Sequence, residues 1–153
     1  MDIRKTRIFG IGELRISLID KKVSEISFCR RDTGERCGPP DETRGIRRQL
    51  EEYFAGRRKE FEADLNPRGT EFQKAVWKAI LDIPYGETRS YAEIAEKIGK
   101  PHAYRAVGQA ASKNPIAILI PCHRVVGSDG SLTGYAGGAD LKTRLLELER
   151  RFK

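Results

Sequence analysis

The chain has little of the material from which metal centres and disulfide frameworks are made. Only two histidines and three cysteines occur among its 153 residues. The spacing of Cys29, Cys37 and Cys122 matches no zinc-ligand pattern, so no metal is expected. Cys29 and Cys37 could pair in principle; the simpler reading is free thiols, two incidental and one reactive. No apolar stretch approaches the roughly 18 uninterrupted residues of a membrane span, and no membrane association is expected. MDIRKTRIFG at the N-terminus lacks the apolar core of a signal peptide, which points to the cell interior. Internal repeats and low-complexity tracts are absent too. What remains is an ordinary apolar content of 39%, enough at this length for one compact domain or two small ones.

Acidic residues are also scarce where they matter. The chain carries a net charge of +7. Between Glu96 and Asp129 no acid occurs, while Lys97, Lys100, Arg105, Lys113 and Arg124 all fall there. A one-signed stretch suits a phosphate backbone, with a solvated basic face as the alternative.

The first part reads as strands followed by a helix. Leu14, Ile16 and Leu18 alternate with polar neighbours, Asp20-Lys21-Lys22 reads as a turn, and Val23, Ile26 and Phe28 resume the pattern. Ile46, Leu50, Tyr53 and Phe54 then fall at helical spacing, with Gly56 as the stop. The stretch Asp64–Gly69 reads as a linker, dividing the chain into domains at 1–65 and 66–153.

The second part opens with Thr70 and Gln73, a capping-box pair ahead of a helix bearing Phe72, Val76, Trp77 and Ile80. Pro84 and Gly86 break it. Ser90 and Glu93 form a second box, starting a helix through Ile94, Ala95 and Ile98 that Gly99 closes. A further helix is expected from about His102. On it Ala103, Val107, Ala110 and Ala111 share one side, leaving His102, Arg105, Gln109 and Ser112 opposite. Helix, tight turn, helix is the helix-turn-helix pattern, shared with ordinary helical hairpins.

Asn114-Pro115 then leads into the apolar run Ile116–Ile120, read as a buried strand ending at Cys122, in the stretch IPCHRVV. A thiol becomes a useful nucleophile when a base or positive charge favours the thiolate. His123 is adjacent, but neighbours in an extended segment point to opposite faces, so a water or a turn has to connect them. On the C-terminal helix, with Leu141 at zero, Leu145, Leu148 and Glu149 fall near 40°, 340° and 80° at about 100° per residue. Glu149 thus enters the apolar arc and Glu147 does not. A buried carboxylate needs a partner; a frayed helix end, with Glu149 in water, is the alternative.

The stretches GTEFQKAVW, IPYGETRSYAEIA, RAVGQAASKNPIAILIPCHRVVGSDGSLTGYAGG and LKTRLLELE together resemble the O6-alkylguanine-DNA alkyltransferases over nearly all of residues 69–149. The resemblance implies an α+β fold: a small α/β N-terminal domain and a mainly helical C-terminal domain with a winged helix-turn-helix. It implies that a damaged nucleotide is flipped from double-stranded DNA into a pocket, where Cys122 takes the alkyl group. His123 would serve as base through a water, with Glu149 orienting it and Asn114 bracing the relay. Tyr91 would donate toward the base, and Val125, Tyr135 and Ala136 would line the pocket. Some relatives carry serine where this chain has Ala136. Arg105 would fill the space left by the flipped nucleotide, with Ser90, Ala103, Tyr104 and Gly108 also at the DNA.

The same resemblance implies a cytoplasmic monomer with access to chromosomal DNA, needing no cofactor. The thioether product cannot be removed by water, so each molecule would act once, on O6-alkylguanine and also O4-alkylthymine. The main alternative is a protein that binds or senses alkylation lesions without repairing them. Such relatives replace the cysteine, which the intact PCHRV retains. A cysteine hydrolase is poorly served by adjacent Cys and His.

Overall fold

The computed structural model describes residues 2–8, 12–29, 43–132, 135 and 138–153. They form two compact units, Met1–Pro67 with Pro115–Ala117, and Arg68–Asn114 with Ile118–Lys153.

In the first unit, β1 (Asp2–Ile8), β2 (Gly12–Ile19) and β3 (Lys22–Cys29) form an antiparallel sheet in that order. The period-2 pattern fixes the register: Leu14 lies opposite Phe28, Ile16 opposite Ile26 and Leu18 opposite Val23. Leu14, Ile16, Leu18, Val23 and Ile26 are buried. Asp20 and Lys21 turn the hairpin with φ of 51° and 64°, the left-handed pair that matches strand twist. Helix α1 (Arg44–Phe54) buries Ile46, Leu50 and Tyr53. The expected linker is partly a sheet edge. Val23 N–H donates to the Asp64 carbonyl and Asn66 N–H to the Val23 carbonyl, both at 2.8 Å, and Ile26 is bracketed likewise by Pro115 and Ala117. These two short pieces satisfy backbone groups that an open edge would expose.

In the second unit, α2 (Glu71–Leu81) and α3 (Tyr91–Lys97) both begin with complete capping boxes, Thr70 with Gln73 and Ser90 with Glu93. Two orphan donors are satisfied at each start. Trp77, 1% exposed, donates its indole N–H to the Ala110 carbonyl at 2.8 Å. This ties α2 to α4 (Tyr104–Ser112), whose small buried residues Ala110 and Ala111 allow close packing. His102 lies in the turn before α4 rather than on it. The pair β4 (Arg89–Ser90) and β5 (Val125–Val126) runs parallel, and α5 (Ala139–Phe152) follows.

The run Ile116–Ile120 is not a strand. All five residues are buried, so its apolar character was read correctly and its backbone was not. Ile118 adopts φ of 73°, and the bonds to β3 are made at the start of the run, by the Pro115 carbonyl and the Ala117 N–H. A run buried on every side has no periodicity with which to declare its backbone.

Candidate active site

Pro121 leads into a single 3-10 turn, Cys122–Arg124, closed by Arg124 N–H donating to the Pro121 carbonyl at 2.9 Å. Successive side chains on such a turn diverge by about 120°. Cys122, His123 and Arg124 therefore project in three directions rather than to two opposite faces, and all three are buried. Every side chain assembled around them below belongs to the second unit.

Asn114, just beyond α4, gives one hydrogen of its amide to the Ile120 carbonyl at 2.8 Å and one to the Cys122 sulfur at 3.0 Å. Burial pushes the Cys122 thiol up to about 11, against the opposing pull of Asn114, Lys142 and nearby backbone N–H groups. At neutral pH the resting group is a thiol.

His123 Nε2 lies 3.0 Å from Glu149 Oε2, and Glu149 is 0% exposed. The helical phase of Glu149 thus decides between the two readings, and the frayed end is overturned. Burial lowers the pKa of the imidazole despite the carboxylate, so the ring is neutral and Nε2–H donates. Nδ1, also buried, then carries the lone pair. Burial raises the Glu149 carboxyl, but hydrogen bonds and charges from His123 and Arg124 outweigh it and leave the pKa below the ordinary value.

Arg124 corrects the charge reading. It does not belong to a solvated basic stretch but is 7% exposed, with Nε 2.7 Å from Glu149 Oε1 and Nη1 donating to the Ile83 carbonyl at 2.7 Å. Lys142 was missed. It is buried, donates to the Val125 carbonyl at 2.5 Å and sets its ammonium 5.8 Å from the Tyr91 ring centre. The same helical wheel that found Glu149 places Lys142 near 100°, inside the apolar arc; its charge concealed it.

Tyr91, at the start of α3, is half-buried. Its hydroxyl pKa is raised, first by burial and then by Cys122. Gly108 of α4 faces its ring, where a Cβ would lie 3.7 Å from the nearest carbon. The Tyr135 ring stands edge-on to His123, centres 6.5 Å apart. Val125 is buried on β5 beside Arg89. Ala136 and Cys37 lie outside the described residues.

The remaining predicted residues lie at the starts of α3 and α4. Arg105 and Tyr104 are exposed, Tyr104 by 47%, with the guanidinium 6.0 Å from the tyrosine ring centre. Ala103 precedes the helix and is half-buried. The Ser90 hydroxyl is occupied as the α3 cap, accepting from Glu93 N–H at 3.1 Å. Among the described residues no group of three or more His, Cys, Asp or Glu side chains is placed to hold a metal ion.

The family model for the DNA-binding domain of 6-O-methylguanine DNA methyltransferase matches residues 71–151. The methylated-DNA–protein-cysteine methyltransferase of Methanosarcina barkeri is 67% identical over 102 residues, which make up 67% of this chain and 65% of that protein. The protein of the same name from Mycobacterium tuberculosis is 63% identical over 102 residues, 62% of its length. The alignments thus span less than two thirds of these curated relatives. A crystal structure of Mycobacterium tuberculosis OGT in complex with DNA superposes with a TM-score of 0.88 at 46% identity, covering 98% of this chain and 93% of that one.

Proposed function

Since this chain belongs to the 6-O-methylguanine DNA methyltransferase family, we propose that it repairs double-stranded DNA by moving the alkyl group of O6-alkylguanine, and of O4-alkylthymine, onto its own Cys122. The observation that carries this reading is the assembly at the sulfur: Asn114 on Cys122 at 3.0 Å, and His123 on a buried Glu149 at 3.0 Å.

The chemistry follows from these groups. The sulfur attacks the alkyl carbon, an S–C bond forms as the C–O6 bond breaks, and guanine departs with the electron pair. The thiol proton passes through a bridging water to Nδ1 of the neutral His123, and Glu149 steadies the imidazolium that results. That proton finally neutralises the guanine anion. The Tyr91 hydroxyl donates toward the ring while charge develops there. Val125 and Tyr135 form part of the wall of the base pocket. The thioether is stable to water, so each molecule reacts once.

Reaching the lesion requires the nucleotide to leave the stack. Helices α3 and α4 serve as the helix-turn-helix, with α4 in the minor groove and Arg105 filling the vacated space. Ser90, Ala103, Tyr104 and Gly108 sit along the same DNA face. Residues 1–65 and 66–153 act as separate domains of a cytoplasmic monomer.

Intact-mass spectrometry after incubation with a duplex carrying one O6-methylguanine tests the reading. One methyl group is expected on Cys122, and none on Cys122→Ser. An unchanged mass with the duplex still bound would identify a lesion-binding protein instead.

A further inference from the structure

Arg124 has no part in the reaction as described, yet its side chain is tethered at several points. Its Nε and Nη2 both engage Glu149 Oε1, the latter at 2.5 Å, and Nε also lies 3.2 Å from Oε2. Nη1 is anchored on the Ile83 carbonyl, and the guanidinium carbon lies 5.6 Å from the centre of the Tyr85 ring. Ile83 and Tyr85 lie in the turn between α2 and β4, so the IPYGET stretch acquires a use here.

The charges explain why such a clamp is needed. A carboxylate with no exposure beside a neutral imidazole is an uncompensated buried charge. Left with His123 alone, Glu149 gains most by drawing a proton onto the ring, and the base is then occupied before the reaction begins. A guanidinium forked onto the carboxylate supplies the missing countercharge without a transferable proton. The Tyr135 ring also stands against His123, and the Lys142 charge bears on it. Lys142 opposes a positive ring, as Arg124 does, and Glu149 alone favours one.

We propose that Arg124, held by the Ile83 carbonyl and the Tyr85 ring, is the positioning residue that makes Glu149 the acceptor of the His123 Nε2–H and so keeps Nδ1 unprotonated. The assignment concerns the resting protein. Its consequence for rate rests on the proposed function.

The test is a pH titration of the ring nitrogens by 15N NMR, on the full chain and on Arg124→Gln, Arg124→Lys and Tyr85→Leu. With two histidines in the chain, a His102→Gln background assigns the His123 signals. In the native protein His123 is expected as the Nε2–H tautomer through the neutral range. In Arg124→Gln it should become imidazolium at a midpoint at least about one pH unit higher, corresponding to about tenfold in proton affinity. Smaller upward shifts are expected for Tyr85→Leu and Arg124→Lys, which also carry the test if Arg124→Gln does not fold. An unshifted His123 in the folded variants, accompanied only by a lower melting temperature, would reduce Arg124 to a structural ion pair and overturn the proposal. Alkyl transfer, measured in parallel, separates the two readings: a shifted His123 in a protein that never accepts an alkyl group sinks the proposed function and leaves this assignment standing.

Discussion

The amide nitrogen of Asn114 lies 3.0 Å from the Cys122 sulfur and 2.8 Å from the Ile120 carbonyl. Both of its hydrogens are thus committed, one to the sulfur and one to the backbone that carries it. As the thiol gives up its proton, the bond to sulfur becomes charge-assisted. Such a bond is worth about 1.5–3 kcal/mol. Asn114→Ala should therefore slow single-turnover methyl transfer by about 10- to 100-fold, and Asn114→Asp by more, because it sets a second negative charge beside the thiolate. Native rates in Asn114→Ala would remove the amide from the mechanism.

The Cys122 thiol, raised to about 11 in the folded chain from an ordinary 9.0, should react sluggishly with iodoacetamide near neutral pH. The rate should climb toward pH 11, and the denatured chain should be labelled faster at pH 8. The sign carries over to stability. Above pH 9 the unfolded thiol loses a proton that the folded one keeps, so stability falls as pH rises. Rapid labelling of Cys122 in the native protein at pH 7 would contradict this.

Acid should destabilise the protein in two stages. The ordinary value for histidine is 6.5 and that of His123 is lower in the fold. Below 6.5 the unfolded chain therefore binds a proton that the native ring refuses, and stability falls. Glu149 is also lowered, from 4.5, so its contribution is present above that pH and is lost as pH drops through the folded value. Thermal melts from pH 7 to 3 should show both stages, with the first missing in His123→Gln. A melting temperature flat from pH 7 to 5 would argue that His123 is not buried neutral.

At Gly108 the space beside Tyr91 admits one carbon and little more, since a Cβ there meets the ring at 3.7 Å. Gly108→Ala should fold, gain about 0.5–1 kcal/mol from helix propensity and still transfer. Gly108→Leu should displace the ring and lose at least tenfold in rate, on the scale of one misplaced hydrogen bond. Equal rates for the two variants would show that Tyr91 need not be held in place.

Arg105 stands exposed on α4, its guanidinium 6.0 Å from the centre of the neighbouring Tyr104 ring. Arg105→Ala should slow reaction with duplex DNA while leaving reaction with a free O6-alkylguanine base unchanged. Equal slowing on both substrates would tie the residue to the pocket rather than to the opening of the duplex.

Local chemistry was legible in the sequence wherever a short-range rule decides the outcome. Both capping boxes, the hairpin at Asp20-Lys21 and the glycine stop after α3 form as read. Helical phase placed Glu149 among the buried residues. What escaped was settled by distant parts of the chain. Arg124 sits in a stretch without acids, and its partner Glu149 lies 25 residues away. Lys142 has the right phase, but a lysine among leucines reads as a snorkelling side chain. The run Ile116–Ile120 has strand composition, yet Ile118 takes a left-handed backbone that local preference disfavours; surrounding packing overrules it.

The pairing of His123 with Glu149 spans 26 residues of chain. At synthesis rates of about 5–20 residues per second, roughly one to five seconds separate the appearance of the cysteine from that of the helix carrying Glu149. During that interval the nascent chain carries an ordinary thiol, without Glu149 behind its histidine and without the burial that suppresses ionisation. Folding therefore sets the ionisation of the sulfur as well as its surroundings: the ordinary 9.0 of the unfolded thiol gives way to about 11 once the chain has closed over it.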